Sequence, residues 1–139
     1  FPICARVFST GHFLSLRKNF FRDIINNMNK SEPEIGAFYY HYKHTDDSVN
    51  NYAYEVIGIG HHTEIEGLEE SALVIYRPLY ESAGVYKIGK HYDVRPLVMF
   101  MEPVTKDEKT FPRFTKISDE KIIAELVEIK NQMYTSSQR

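Results

Sequence analysis

Apolar positions change their period twice along the chain. Between about 14 and 29, Leu16, Phe20, Ile24 and Met28 recur every four residues, with Phe21 and Ile25 beside them. Arg17, Lys18, Arg22 and Asp23 take the other side. That spacing predicts an amphipathic helix. Ser15 suits its N-cap, and it should end before Pro33, whose ring disfavours helical backbone at the preceding residue. Beyond Gly36 the period shortens. Runs rich in aromatic and β-branched residues at 37–43, 53–62, 72–80, 94–104 and 111–117 predict strands, separated by polar stretches at 45–51, 64–70, 81–90 and 106–109. Gly58 and Gly60, inside the second run, mark a bulge or a sharp bend. Helical spacing returns at 118–134, where Ile122, Leu126, Ile129 and Met133 form one stripe reinforced by Ile123. Ser118 is the expected cap, Asp119 and Glu120 suit the positive end of the helix dipole, and Glu120, Lys121, Glu125, Glu128 and Lys130 should stay wet. The last residues, 135–139, should fray. Short strands at this spacing predict a meander, a sandwich or a small barrel rather than alternating βαβ units.

The totals narrow the picture. A chain of 139 residues suits a single domain over 1–139. Ten Tyr and nine Phe, with no Trp, supply many half-polar aromatic surfaces. A formal net charge of −2 removes any general attraction to a phosphate backbone, so anion binding would need a local basic patch. The lone cysteine, Cys4, excludes an internal disulfide and a cysteine metal site, and it fits a reducing compartment, which favours the cytoplasm. No apolar run approaches the roughly 20 residues of a membrane span. The chain begins at Phe1 rather than Met, consistent with a longer parent or a processed one. Asn29-Lys30-Ser31 matches a glycosylation acceptor, a pattern common by chance.

Five pieces stand in order through the centre. They are Tyr39-Tyr40-His41-Tyr42-Lys43, a longer piece from Tyr54 to Glu64 around Gly58-Ile59-Gly60-His61-His62, Leu73-Val74-Ile75-Tyr76-Arg77-Pro78-Leu79-Tyr80, Val94-Arg95-Pro96-Leu97-Val98-Met99-Phe100, and Pro112-Arg113-Phe114. In this order they resemble the family catalogued as domain of unknown function 1653, from about 36 to 117. The resemblance implies an SH3-like small β-barrel, flanked here by an N-terminal and a C-terminal amphipathic helix, and assigns no biochemical role. The expected fold class is therefore mainly β, α+β overall. The chain departs from the family pattern at Asp93, where an aromatic is usual, at Val98, where an acid is usual, and at His61, where Arg is usual. Two loops, around 45–51 and 86–91, are longer.

The chemistry-bearing candidates are His41, Lys43, His62, Tyr76, Arg77 and Arg95. Arg77 shares a strand face with Leu73, Ile75 and Leu79, so it needs a carboxylate partner, with Glu55 and Glu102 both eligible. Arg77 and Arg95 together would make an anion clamp, because planar guanidinium forks match phosphate or carboxylate. A structural ion pair is the plainer alternative. His41 with His62, supported by Lys43 and Tyr76, would form a polar pocket able to hold an acid or base; the alternative is a histidine that ties two strands together. His41 and His44 would point to opposite strand faces, and no HxH or HExxH spacing occurs, so no metal is expected. Gly58-Ile59-Gly60 lacks the third glycine and the following helix of a dinucleotide loop. No cofactor is implied, and no nucleophile has a visible base.

Three functions fit. The first is a non-enzymatic binding module for an anionic small ligand, a peptide or a nucleic-acid segment. The second is a small hydrolase or transferase with His41 or His62 as general base. The third is a structural subunit that assembles through its helices.

Overall fold

The computed structural model describes residues 32–82 and 92–135. The expected helix at 14–29, Cys4, the acceptor tripeptide at Asn29 and all of the expected frayed tail but Thr135, which is helical, lie outside them. The chain divides into two units at Glu32/Pro33, and everything below belongs to the second, Pro33–Arg139.

In chain order the strands are β1 (Phe38–His41), β2 (Ala53–His61), β3 (Ala72–Pro78), β4 (Asp93–Pro96), β5 (Pro103–Lys106), β6 (Lys109–Pro112) and β7 (Phe114–Lys116). The helices are α1 (Leu68–Ser71), α2 (Leu97–Met101) and α3 (Glu120–Thr135). Five strands form one antiparallel sheet in the order β4-β3-β2-β1-β7, and β5 with β6 forms a separate hairpin. The hairpin turns on Asp107 and Glu108, both in the left-handed region (φ 51° and 60°), the backbone a two-residue primed turn requires.

The expected closed barrel is not found. β4 and β7 stand at the two edges of the sheet, and among the described residues no ladder joins them. β4 has four residues, the last a proline without an N–H to donate, and β7 has three. A second correction concerns the run at 94–104, expected as one strand. It breaks at Pro96, winds one helical turn, and resumes as β5. Leu97 and Phe100, three apart, are buried, while Val98, Met99 and Met101 stay exposed. A helical turn buries that pair on one side, whereas strand alternation would send them to opposite faces. The bulge expected near the glycines does occur: the β2–β3 register shifts between Val56 and Gly58.

Alternation along the strands sorts the sheet into two faces. On one, Phe38, Ala53, Leu79, Ile117 and Leu126 form a buried cluster, with Tyr40, Ile122, Ile123, Val127, Ile129 and Tyr134 packed on it. Helix α3 covers this face. Its cap is Asp119 rather than Ser118: Asp119 Oδ1 accepts from the backbone N–H of Lys121 (2.9 Å) and Ile122 (3.2 Å). Lys130, expected in water, instead reaches Glu55 Oε1 at 3.1 Å. Glu55 is 7% exposed and also accepts from Arg77 Nε at 2.7 Å. The Arg77 guanidinium lies 4.0 Å over the Tyr134 ring, and the Tyr134 hydroxyl donates to the Pro78 carbonyl. The other face is aromatic. Phe100 stacks on Phe114 with centroids 4.1 Å apart and planes 3° from parallel. Tyr76 meets both edge-on at 5.6 and 5.7 Å, and Tyr54 meets Phe114 edge-on at 5.8 Å.

Candidate functional site

At the end of β1 the aromatic face opens into a cavity of about 450 Å³. Its floor is Phe114, Tyr76 and Tyr54, its walls include Tyr52, Tyr80 and Ser82, and its polar groups are His41, Lys43, Asp93 and Arg95. Register explains the convergence. His41 pairs with Phe114, Tyr76 with Asp93, and Val74 with Arg95, so all of these share one face of the sheet. Arg95 donates from Nε to the Tyr76 hydroxyl at 3.2 Å, and its Cζ lies 6.0 Å from the Phe114 centroid. The Tyr54 and Tyr80 hydroxyls are 2.6 Å apart. Burial raises the Tyr80 phenol further above its ordinary range, so that hydroxyl keeps its proton at physiological pH.

Lys43 follows the strand rather than belonging to it: β1 ends at His41, and the His44 N–H closes a turn on the His41 carbonyl at 2.8 Å. The long β1–β2 connection is stitched by its own side chains. Asn51 Nδ2 donates to Thr45 Oγ1 (2.9 Å), the Tyr40 hydroxyl to the Val49 carbonyl (2.7 Å), and Asn50 Nδ2 to the Leu79 carbonyl (2.8 Å). This framework holds Tyr52 at φ 50°. A bulky residue in left-handed backbone costs about 1–2 kcal/mol, so it persists only where the surroundings impose it.

The six residues singled out in the sequence divide. His41, Lys43, Tyr76 and Arg95 line the cavity. Arg77 faces α3 and is held by Glu55, the first of its two expected partners. Because Tyr76 and Arg77 are neighbours on one strand, Arg77 and Arg95 lie on opposite sheet faces and form no joint clamp. His62 is exposed just beyond the far end of β2; its Nδ1 accepts from the Glu64 N–H at 3.2 Å. The nine residues of β2, about 30 Å at roughly 3.3 Å per residue, separate it from His41, so the two histidines share no pocket. Tyr52, Tyr54 and Tyr80, tyrosines that the sequence interleaves with Lys43, Arg77 and Arg95 as a candidate stacking surface, line the cavity too, and Ser82, Asp93, Val94 and Phe114 complete it. Asn50-Asn51 before Tyr52 was a usable sign of a turn, and Asp93 was visible as a departure from the family pattern.

Cations gather here. Among the described residues neither Lys43 nor Arg95 has a carboxylate within ion-pair distance. Arg113 adds a third nearby, with Nη2 3.9 Å from Glu102 Oε2 and its buried Nε unpartnered. Burial, then the charges of Lys43, Arg95 and Arg113, hold the His41 imidazole down to about 4, so it is neutral at pH 7. This has a linkage consequence. The unfolded chain takes up a proton near pH 6.5 and the folded chain only near 4. Stability from this group is therefore complete above pH 6.5 and is lost as pH falls toward 4. Solvent at the half-exposed ring moderates the loss. In urea melts from pH 7 to 5, His41→Gln should show a flatter decline than the parent; parallel declines would contradict the assignment.

Among the described residues no group of three or more His, Cys, Asp or Glu is placed to hold a metal ion, and no helix is long and apolar enough to cross a membrane. His44, one of the histidines considered, stacks on Tyr40 at 3.5 Å and bonds through Nδ1 to the Asn51 carbonyl at 2.7 Å.

No curated protein and no solved structure matches the chain. One family model does, over residues 37–116, the five-piece segment and the strands that build the cavity: the chain belongs to the DUF1653 family, described as protein of unknown function.

Proposed function

We propose that the chain is a non-enzymatic binding module whose aromatic cavity takes a small anionic ligand. The observation that carries this reading is the pairing of Lys43 and Arg95 on one concave surface, neither neutralised by a carboxylate among the described residues. Unmatched cations beside low-dielectric walls favour an anion more strongly than the same charges in open water. Arg95 is oriented by Tyr76 and Phe114, so little side-chain freedom is left to lose on binding. The volume falls within the range typical of small-ligand sites.

The hydrolase or transferase alternative uses His41 or His62 as general base, and of the two only His41 lines the cavity. An imidazole held near 4 is a weak base at neutral pH, far from the matched value such catalysis favours. We further read the sheet as an SH3-like small barrel left open at one side. In its support, β1 to β4 run as a meander, β7 returns to pair with β1, and the bulge in β2 lets the sheet curl.

The test is an NMR titration with small anions such as phosphate and acetate. At least one should shift resonances of Lys43, Tyr52, Tyr54 and Arg95 together. Arg95→Ala and Lys43→Ala should each weaken that binding about 10–100-fold, the loss expected for a charge-assisted contact of roughly 1.5–3 kcal/mol. Shifts confined to other surfaces, or binding by both variants as tight as the parent's, would overturn the proposal.

A further inference from the structure

We infer that the anion is a nucleoside monophosphate, with its base laid against Tyr52 and its phosphate held by Lys43 and Arg95. This rests on the anion-binding reading above and adds the rest of the ligand to it.

Tyr52 is the starting point. Asn50 and Asn51, residues that tolerate left-handed backbone, stand immediately before it, yet the left-handed position is given to a tyrosine. The conformation is imposed from several sides: the His41 N–H donates to the Tyr52 carbonyl at 2.9 Å, and the loop before it is tied to Leu79 and Thr45. Glycine would satisfy that backbone without strain. A strained aromatic kept there points to a use for its side chain. Tyr52 is 36% exposed and lines the cavity. It lies 5.4 Å from the Tyr80 ring, and 6.0 Å from the His41 ring with planes 28° apart.

The result is a half-exposed aromatic shelf beside two cations. A bare inorganic anion would use the cations and leave the shelf idle. A nucleobase uses it well, because every base has a π-face and base–aromatic stacking is tolerant of base identity. Neutral His41 extends the shelf without adding charge. Charge sets the phosphate count. Among the described residues the lining carries two cations, Lys43 and Arg95, and one carboxylate, Asp93, so a single phosphate ester, at about −1.5 to −2, already uses all the positive charge the lining offers. A second or third phosphate would meet no further cation among the described lining residues. The same chemistry is offered by a free mononucleotide and by the phosphorylated end of a single strand.

Calorimetric titration of the whole chain separates these ideas. The probes are the common nucleoside 5′-monophosphates, the matching nucleosides, inorganic phosphate and a 5′-phosphorylated tetranucleotide. At least one monophosphate should bind tenfold or more tighter than both its nucleoside and inorganic phosphate. In Tyr52→Gly that preference over inorganic phosphate should collapse toward one, while the melting temperature stays at or above the parent's because the left-handed strain is relieved. Tyr52→Phe, which keeps the ring, should retain the preference. Inorganic phosphate binding as tightly as every nucleotide, or a preference that survives Tyr52→Gly, overturns this inference and leaves the anion reading standing. No anion binding at all removes both. The tetranucleotide decides the source: tighter binding than the monophosphate marks a strand terminus, and weaker binding marks the free nucleotide.

Discussion

Glu55→Ala should cost about 3–5 kcal/mol in urea denaturation, because it leaves two cations without their counter-charge inside the interface of sheet and helix. Glu55 is 7% exposed and accepts from Arg77 at 2.7 Å and from Lys130 at 3.1 Å. The side chains of Arg77 and Lys130 are only 18% and 25% exposed, so water cannot take over the lost interaction fully. The triad joins β2, β3 and α3, and Tyr134 closes over Arg77. Its net contribution is a separate matter, since burying three charges has its own desolvation cost. Replacing all three together, as Glu55→Leu, Arg77→Met and Lys130→Met, should recover most of the loss. If Glu55→Ala lies within 1 kcal/mol of the parent, the triad is solvated and α3 is not anchored this way. The anion binding proposed for the opposite face offers a second readout. A folded Arg77→Met variant should keep it, because Arg77 lies outside the cavity lining.

Phe100→Ala should be comparably severe, about 3–5 kcal/mol, by the cavity left when a buried phenyl is removed. Phe100 is 2% exposed and packs face to face on Phe114, with Tyr76 and Tyr39 edge-on at 5.6 and 5.8 Å. The contrast with its neighbours is the informative part. Val98 and Met99 are 53% and 44% exposed, so Val98→Ala and Met99→Ala should change stability by about 0.5 kcal/mol or less. A strand through 97–101 would instead pair Phe100 with Val98 on one face, and the two truncations would then cost alike. Because Phe100 supports Phe114 beneath the cavity, its loss should also weaken anion binding in any variant that remains folded.

Local pattern carried a good deal of this molecule. The strand runs at 37–43, 53–62 and 72–80 match β1, β2 and β3 with small shifts at their ends, because alternation and β-branched content are local properties that a pleated sheet reads directly. The apolar stripe of the last helix was legible for the same reason, as was the need of Arg77 for a carboxylate. The run at 94–104 reads as one strand because Leu97 to Met101 are uniformly apolar and carry no period, and only Pro96 and Pro103 hint at the breaks on either side. The cap moved one residue, from Ser118 to Asp119, since both side chains suit the position and backbone geometry chooses between them. Lys130 was assigned to water because nothing within α3 reveals a carboxylate 75 positions earlier.

Residue pattern alone carries the family, the β character of the centre, the amphipathic last helix, and four of the residues that meet in the cavity: His41, Lys43, Tyr76 and Arg95. Tertiary structure decided which face each of them occupies and which partners they find. It sent Arg77 to Glu55 and Arg95 to Tyr76 on opposite sides of one sheet, left His62 beyond the far end of β2, and brought Tyr52 in from a loop to complete the wall. Register explains the division. A strand fixes only the alternation of its own side chains, whereas its hydrogen-bonded neighbours decide which distant residues stand opposite, and a shift of one position would exchange the two faces.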